Sequence, residues 1–217
     1  MVCPTLVTMN ATMISRILPL LIIPLALTAA PTEKVRNPHA VVFEDSLAPG
    51  QSLAVRTDLP SVTVYCQPGA IEIAAAGEKP QTAMVQSGEA IFLLPAARTF
   101  KNVGNAPLRI VRVDLPGQGV AETWGSTGIP HYKLLLENRF VRVYDIRVAA
   151  GATEPQHTHK DRVVVCLSGA DLIHTMPDGR AEPATLKTGE IAWRLGATHV
   201  GHNIGKTDLW VIAIEPK

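Results

Sequence analysis

The stretch GATEPQHTHKDRVVVCLSG, Gly151 to Gly169, decides how the whole chain is interpreted. It places two histidines, His157 and His159, one residue apart and just ahead of an apolar, β-branched run. In a β-strand, side chains at i and i+2 share a face, so both imidazoles can offer nitrogens to one ion. An H-x-H pair alone is more often a surface pair or a hydrogen-bonded pair than a metal site.

A second stretch, GEIAWRLGATHVGHN, supplies a third histidine. Together the two stretches resemble the two motifs of the cupin superfamily. The first is G-x5-H-x-H, then Glu after three or four residues and Gly six residues later; the second is G-x5-P-x-G-x2-H-x3-N. The positions that match are Gly151, His157, His159, Gly169, Gly196, His199 and Asn203. The resemblance implies that the three histidines are metal ligands and that Asn203 positions backbone at the mouth of a barrel.

The second motif departs from the superfamily pattern in two details. Arg194 stands where its proline is expected, and the spacing from Gly189 is one residue short.

The first motif departs from the superfamily pattern at its acidic ligand. Counting back seven from Gly169 reaches Arg162, and the segment between His159 and Gly169 is shorter than the superfamily pattern. A guanidinium repels a divalent cation and has no electron pair to donate. The resemblance therefore carries over three ligands and leaves the fourth open.

Three arrangements are compatible with the missing glutamate. Water or substrate completes a three-histidine site; or Asp161 or Glu154 supplies a carboxylate, and then also serves as a catalytic acid or base; or no metal binds, and Arg162 with the histidines holds an anion. We expect a divalent ion, with Fe, Zn, Mn, Cu and Ni all open.

The motif lies in the second of two related halves. SVTVYCQPGA, from Ser61, matches RVVVCLSGA, from Arg162, and SGEAIFLLP, from Ser87, matches TGEIAWRLG, from Thr188. Both halves show short alternating strands with turn signals, which indicates antiparallel β-structure. We predict an all-β chain with two tandem cupin-type antiparallel β-barrels (double-stranded β-helix or jelly roll), over 33–117 and 131–217, joined by a linker at 118–130.

Aligned through Gly50, the first half carries Arg56, Asp58 and Arg98 at the histidine positions. We expect a degenerate, structural barrel there, with an anion site on its arginines as the less favoured alternative.

Residues 1–30 are predicted to be a signal peptide, because Arg16 precedes the apolar run ILPLLIIPLALTAA. We therefore expect a secreted or periplasmic protein that does not bind the membrane after the leader is removed. The mature chain then keeps Cys66 and Cys166, which we expect inside separate barrels as free thiols.

Several other side chains were candidates for a ligand pocket. Trp193 and Tyr144 are candidate substrate-binding residues together with Arg162, although packing of the barrel core explains the two aromatic residues equally well. His174 and His202 are expected on the surface or behind the ligands.

The composition limits the partners. The net charge is +1 and aromatic residues make up only 5% of the 217 positions, so nothing indicates nucleic-acid binding. We expect a small-molecule ligand, and the sequence leaves open whether the protein forms a homodimer.

The expected function is metal-dependent action on a small organic molecule, by a dioxygenase, isomerase or lyase type of reaction. The alternatives are a metal-free, non-catalytic cupin that binds a small molecule or anion, and a structural bicupin with a vestigial pocket.

Overall fold

A computed structural model describes residues 31–217; the predicted leader lies outside this range. The described residues form antiparallel strands, turns and loops. Within this range there is no helix, and so none of a length and apolarity that would carry it through a bilayer.

The first half folds into two antiparallel sheets. Its strands are β1 (Thr32–Arg36), β2 (Val41–Leu47), β3 (Ser52–Thr57), β4 (Ser61–Tyr65), β5 (Gly69–Ala75), β6 (Gln81–Val85), β7 (Ala90–Leu93), β8 (Ala96–Asn102) and β9 (Leu108–Asp114). One sheet has the order β1-β2-β9-β4-β7 and the other β3-β8-β5-β6. Side chains from both sheets enclose a core that includes Leu53, Tyr65 and Phe100.

The second half repeats this topology strand for strand. Its strands are β10 (Tyr132–Glu137), β11 (Val141–Val148), β12 (His157–Thr158), β13 (Arg162–Ser168), β14 (Ala170–Thr175), β15 (Ala181–Leu186), β16 (Ile191–Arg194), β17 (Thr198–Asn203) and β18 (Leu209–Pro216). The sheet orders β10-β11-β18-β13-β16 and β12-β17-β14-β15 equal those of the first half with nine added to each number. Two antiparallel barrels are therefore built on one plan.

The two asparagines that end β8 and β17 have the same function in both barrels. The side-chain amide of Asn203 donates to the carbonyls of Val148 and Thr207, each at 3.0 Å. The amide of Asn102 donates to the carbonyls of Leu47 and Ala106, each at 2.8 Å. Each asparagine is completely buried and ties the following turn to a neighbouring strand.

The five-stranded sheets of the two barrels pack against each other. Their shared apolar core takes alternate residues of β4, Val62 and Val64, and of β13, Val163 and Val165. The residues between them face the barrel interiors. Along β13 the valines from 163 to 165 are therefore buried on both faces, which explains the continuous β-branched run, whereas β4 carries Ser61 and Thr63 on its inner face.

The prediction that Cys66 and Cys166 are free thiols is confirmed, but only one of the two lies inside a barrel as expected. Both Cys66 and Cys166 are free, and burial raises the pKa of each thiol to about 11. Cys166 lies inside the second barrel, but Cys66 packs against the core between the barrels. The structural counterpart of Cys166 is Tyr65, since their carbonyls accept from Gly189 and Gly88 respectively. The alignment of the two sequence repeats was thus wrong by one residue here. An error of one residue moves the predicted position of a side chain to the opposite face of the strand.

Candidate metal centre

Three histidine side chains converge inside the second barrel. His157 on β12 is paired across the sheet with His199 on β17, and His159 follows two residues after His157. All three are buried, and their ligand nitrogens lie within 4.8 Å of one another. The Nε2 atoms of His157 and His159 are 2.9 Å apart. The three imidazoles therefore offer nitrogens to a single point.

The protonation of these imidazoles suits metal binding. Burial is the main cause that lowers the pKa of all three, to about 3 for His199, and the nearby positive charge of Arg162 adds to the effect. The neutral imidazole, which is the form that ligates metals, therefore prevails at neutral pH. His157 donates its Nδ1 proton to the carbonyl of Pro155 at 2.8 Å, which leaves the Nε2 lone pair free.

The two other candidate histidines differ in position. The ring of His174 stacks on that of His199, with centroids 4.0 Å apart and planes 5° apart, so it supports a ligand from behind. His202 lies three residues after His199 on β17 and therefore on the other face of that strand.

Arg162 faces the same interior as the histidines. Its guanidinium borders the cavity beside His159, His174 and His199. It reaches the carbonyls of Lys160 and Leu195 at 3.2 and 3.4 Å. Among residues 31–217, no ion pair includes this arginine. A cation therefore stands beside the ligands where the superfamily motif has an acid.

The two carboxylates suggested as replacements are placed differently. Asp161 is exposed and accepts a hydrogen bond from the Gly196 amide at 2.6 Å, outside the histidine cluster. Glu154 is buried and borders the cavity that His159 and His199 line. Burial raises its pKa to about 7, although a hydrogen bond with Tyr132 and the charge of Arg162 act in the opposite direction.

The second barrel has room for Glu154 because the residues at two equivalent positions differ from those of the first barrel. In the first barrel the corresponding cross-strand pair is Leu53 and Phe100, both in the core. In the second, the Glu154 amide donates to the Gly201 carbonyl, and a Cβ on Gly201 would lie 2.4 Å from Glu154 Oε2. A carboxylate opposite a glycine thus replaces an apolar pair beside the histidines.

Tyr132 is a residue of this site that the sequence did not indicate. Its hydroxyl lies 3.2 Å from Nε2 of His157 and 3.4 Å from Nε2 of His159. It comes from β10, 25 residues before His157 and outside both motifs. Only the pairing of β10 with β11 brings it to the site, and no local pattern encodes that.

Of the two aromatic residues predicted to bind substrate, Trp193 borders an opening that His159 also lines, whereas Tyr144 lies deeper in the barrel. Tyr144 lies behind Tyr132, with ring centroids 5.9 Å apart, and donates its hydroxyl proton to the Gly125 carbonyl at 2.9 Å. Trp193 stacks on His39 and packs against the core between the barrels. It lies on the opposite face of β16 from Arg194, because side chains alternate along a strand.

The first barrel has no counterpart of the histidine cluster. Val55 pairs with Arg98 where His157 pairs with His199, so the alignment through Gly50 is one residue out at this point. The chain advances three residues from Glu154 to His157, while the opposite strand β17 advances only two, from Gly201 to His199. The extra residue forms a β-bulge, and β3 has no such bulge at the equivalent position. Arg56 and Asp58 consequently are exposed.

The cavity at the histidines opens outward. An inner space of about 60 Å³ is enclosed by Tyr132, Glu154, Arg162 and apolar side chains. An outer space of about 360 Å³ is bordered by Arg162, His174, His199 and, further out, Arg194. The outer volume lies within the range of small-molecule sites.

The donor atoms fit a transition metal. Neutral imidazole nitrogens suit Zn, Cu, Fe and Ni, and three ligands leave positions open for further ligands. His157, His159 and His199 would hold the ion, and Arg162 and Glu154 would border its open side.

Comparison with solved structures identifies the fold. AerE from Microcystis aeruginosa matches with a TM-score of 0.64 and 13% identity over 86% of this chain and 97% of that one. A cupin 2 conserved barrel domain protein from Leptotrichia buccalis matches with a TM-score of 0.56 and 15% identity over 87% and 88% of the two chains. Oxalate decarboxylase of Bacillus subtilis, which has Mn(II) centres, matches with a TM-score of 0.55 and 14% identity over 82% and 69%.

These identities are too low to transfer an activity, but the fold is clear. No protein-family model matches the sequence, and no curated protein sequence does. The expectation of an all-β, antiparallel cupin fold is confirmed. The chain therefore has the fold of a two-barrel cupin protein.

Proposed function

We propose that the second barrel binds one divalent transition metal through His157, His159 and His199 and acts on a small organic anion. The observation that carries this proposal is the convergence of three buried imidazoles, one of which, His199, borders an opening of about 360 Å³. The reaction would be of the dioxygenase, isomerase or lyase type. Fe, Zn, Mn, Cu and Ni stay as candidates, Mn because of the Mn(II) centres of Bacillus subtilis oxalate decarboxylase.

The metal would act as a Lewis acid toward a substrate oxygen. The chain contributes the surroundings. The apolar side chains of Val164, Leu172 and Leu209 border the inner cavity and limit access of water. Glu154 is better placed than Asp161 to exchange a proton with a bound molecule, because it borders this cavity while Asp161 is bonded to the Gly196 amide.

Arg162 supports an anionic substrate. Its guanidinium borders both the inner and the outer space and forms no ion pair with any carboxylate in residues 31–217. A guanidinium binds a carboxylate through two parallel hydrogen bonds, and this interaction is stronger where water is excluded. The same residue that weakens the site for a cation would thus select a negatively charged ligand.

The second candidate function is that of a non-catalytic anion-binding protein without metal. Arg162 favours it specifically, because a positive charge beside the ligand nitrogens opposes a divalent ion. A structural protein with a vestigial pocket is the remaining alternative.

Metal titration of single variants tests the metal site. His157→Ala and His199→Ala should each abolish stoichiometric binding, while His202→Ala, on the other face of β17, should leave it unchanged. Retained binding in the first two variants would refute the site.

Binding of benzoate and of uncharged benzamide tests the role of Arg162. The wild type should prefer benzoate, and Arg162→Gln should lose that preference. Arg180→Gln, which alters an exposed arginine outside the site, is the matched control. Equal affinity of the wild type for both compounds would exclude an anion site at Arg162.

We also propose that the protein is secreted, on the strength of the apolar run after Arg16. Expression of the full chain with measurement of the mass of the exported product tests this. Export with loss of an N-terminal segment is expected, and retention of the intact chain in the cytoplasm would contradict it.

A further inference from the structure

The hydroxyl of Tyr132 has the position of a fourth ligand atom. Ligand atoms bound to one ion at about 2.0–2.2 Å lie roughly 2.8–3.1 Å from one another when they are adjacent in an octahedral site and roughly 3.3–3.6 Å in a tetrahedral site. The Nε2 atoms of His157 and His159 are 2.9 Å apart, and the Tyr132 oxygen lies 3.2 and 3.4 Å from them. The three atoms thus have the mutual spacing of a coordination shell.

Nε2 of His157 has one lone pair and two polar neighbours, Nε2 of His159 and the hydroxyl of Tyr132. The Nδ1 proton of His157 is donated to the Pro155 carbonyl, so its Nε2 is an acceptor. His159 Nε2 and the Tyr132 hydroxyl both lie within hydrogen-bond distance of that atom, at 2.9 and 3.2 Å, so only one of them can donate to its lone pair. Acceptor atoms at such distances repel one another unless a proton or a cation lies between them.

Glu154 is held where it can orient the phenol. Its Oε1 is buried without a hydrogen-bond partner, and Gly201 leaves room for Oε2. In the first barrel the same positions carry Leu53 and Phe100, so a carboxylate here is not a requirement of the barrel itself. Carboxylates behind metal ligands commonly fix the orientation of those ligands.

We propose that Tyr132 is the fourth protein ligand, with Glu154 as the residue that positions it, and that the pair replaces the acid missing from the motif. Coordination forms a bond between the metal and the phenol oxygen, and the phenol proton passes to the Glu154 carboxylate. The net charge of the site falls as it would with a glutamate ligand. This inference rests on the proposed metal binding.

The test loads the full chain with one equivalent of Cu(II) and records its visible absorption. A phenolate bound to Cu(II) gives a ligand-to-metal charge-transfer band that imidazole ligands do not produce. The chain has three tyrosines, so three variants assign the band. We expect the band in the wild type and in Tyr65→Phe, the matched control, whose hydroxyl is buried in the other barrel without a partner. Tyr144→Phe should also retain it.

Tyr132→Phe should bind copper with no band and with an affinity about tenfold lower or weaker, as expected when a ligand is lost. Copper bound to the wild-type histidines without the band, or a band that persists in Tyr132→Phe, would overturn the inference and leave the proposed function standing. Absence of copper binding by the wild type would instead overturn the proposed function.

Glu154→Gln tests the positioning role. An amide cannot accept the phenol proton, so the band should develop only at higher pH than in the wild type. An unchanged pH profile would remove Glu154 from the account. Resonance Raman lines of a phenolate in the wild type provide a second readout that does not depend on how stable the variants are.

Discussion

Arg162 is the residue that separates this site from the superfamily motif. Its position on β13 was predicted from spacing alone, and the structure turns its side chain toward the histidines, with Val163 in the core between the barrels. That face followed from the alternation of β13. Of the two residues that we propose to compensate for the lost acid, Glu154 lies inside the first motif and was a candidate from the sequence. Tyr132 on β10 lies outside both motifs, so no count within them could identify it.

Arg162→Glu should tighten metal binding by about tenfold or more, because it replaces a repelling cation with an anionic ligand. Equilibrium titration with Zn(II) against a chelating competitor measures the change. Lys160→Glu makes the same change of charge on an exposed side chain nearby and should have a much smaller effect. Equal effects of the two variants would mean that Arg162 acts only through the net charge.

Asp45 in the first barrel provides a prediction on pH. Both its carboxylate oxygens are buried without a hydrogen-bond partner. Burial raises its pKa to about 6, against an opposing effect of Arg112 and together with a smaller effect of Glu44. Because the folded state holds this proton more tightly than the unfolded state, the carboxyl group lowers stability progressively as the pH rises from about 4 to about 6.

Asp45→Asn should therefore raise the free energy of unfolding at pH 7 by roughly 1–3 kcal/mol relative to its effect at pH 4. Urea unfolding of the metal-free protein at the two pH values measures this difference. The same effect at both pH values would contradict the assigned ionisation of Asp45.

At the scale of elements, the site depends on how β12 meets β17. The motif predicted the three histidines, and the structure brings them together because His157 pairs with His199. The bulge between Glu154 and His157 could not be predicted from the sequence. The two repeats are so divergent that the position of one extra residue cannot be located by aligning them. It explains why the equivalents in the first barrel were placed one residue out.

Gly201→Ala tests the fit between β17 and Glu154. The added Cβ would lie 2.4 Å from Glu154 Oε2, so the carboxylate must move. We expect a loss of about 1–3 kcal/mol in the free energy of unfolding. In a Glu154→Ala background the same change should cost little, which gives a coupling energy above about 1 kcal/mol in a double-mutant cycle. Additive effects would show that the two residues do not contact each other.

At the scale of the whole molecule, the two barrels share one apolar core between their five-stranded sheets. The internal repeat predicted two barrels with the same topology but not how they pack against each other. A β-branched run is compatible with side chains that face either the interior of a barrel or the core between the two barrels. Val64 and Val163 lie in this shared core. The first barrel therefore supports the second mechanically, although it lacks the histidines.

Val64→Ala should lower the stability of both barrels together, by roughly 1–3 kcal/mol. All three tryptophans, Trp124, Trp193 and Trp210, lie after residue 117, so fluorescence reports on the second half while circular dichroism reports on both. The two signals should shift equally. Val103→Ala, at an exposed position, is the control. A shift in circular dichroism alone would mean that the barrels unfold independently.

The most direct test of the central claim is the metal content of the full-length protein after gentle purification, measured by elemental analysis and after titration with added Fe, Zn, Mn, Cu and Ni. We predict one divalent ion per chain, since only the second barrel brings histidines together among the described residues. Failure to bind any of these metals stoichiometrically, as purified and after titration, would contradict the account.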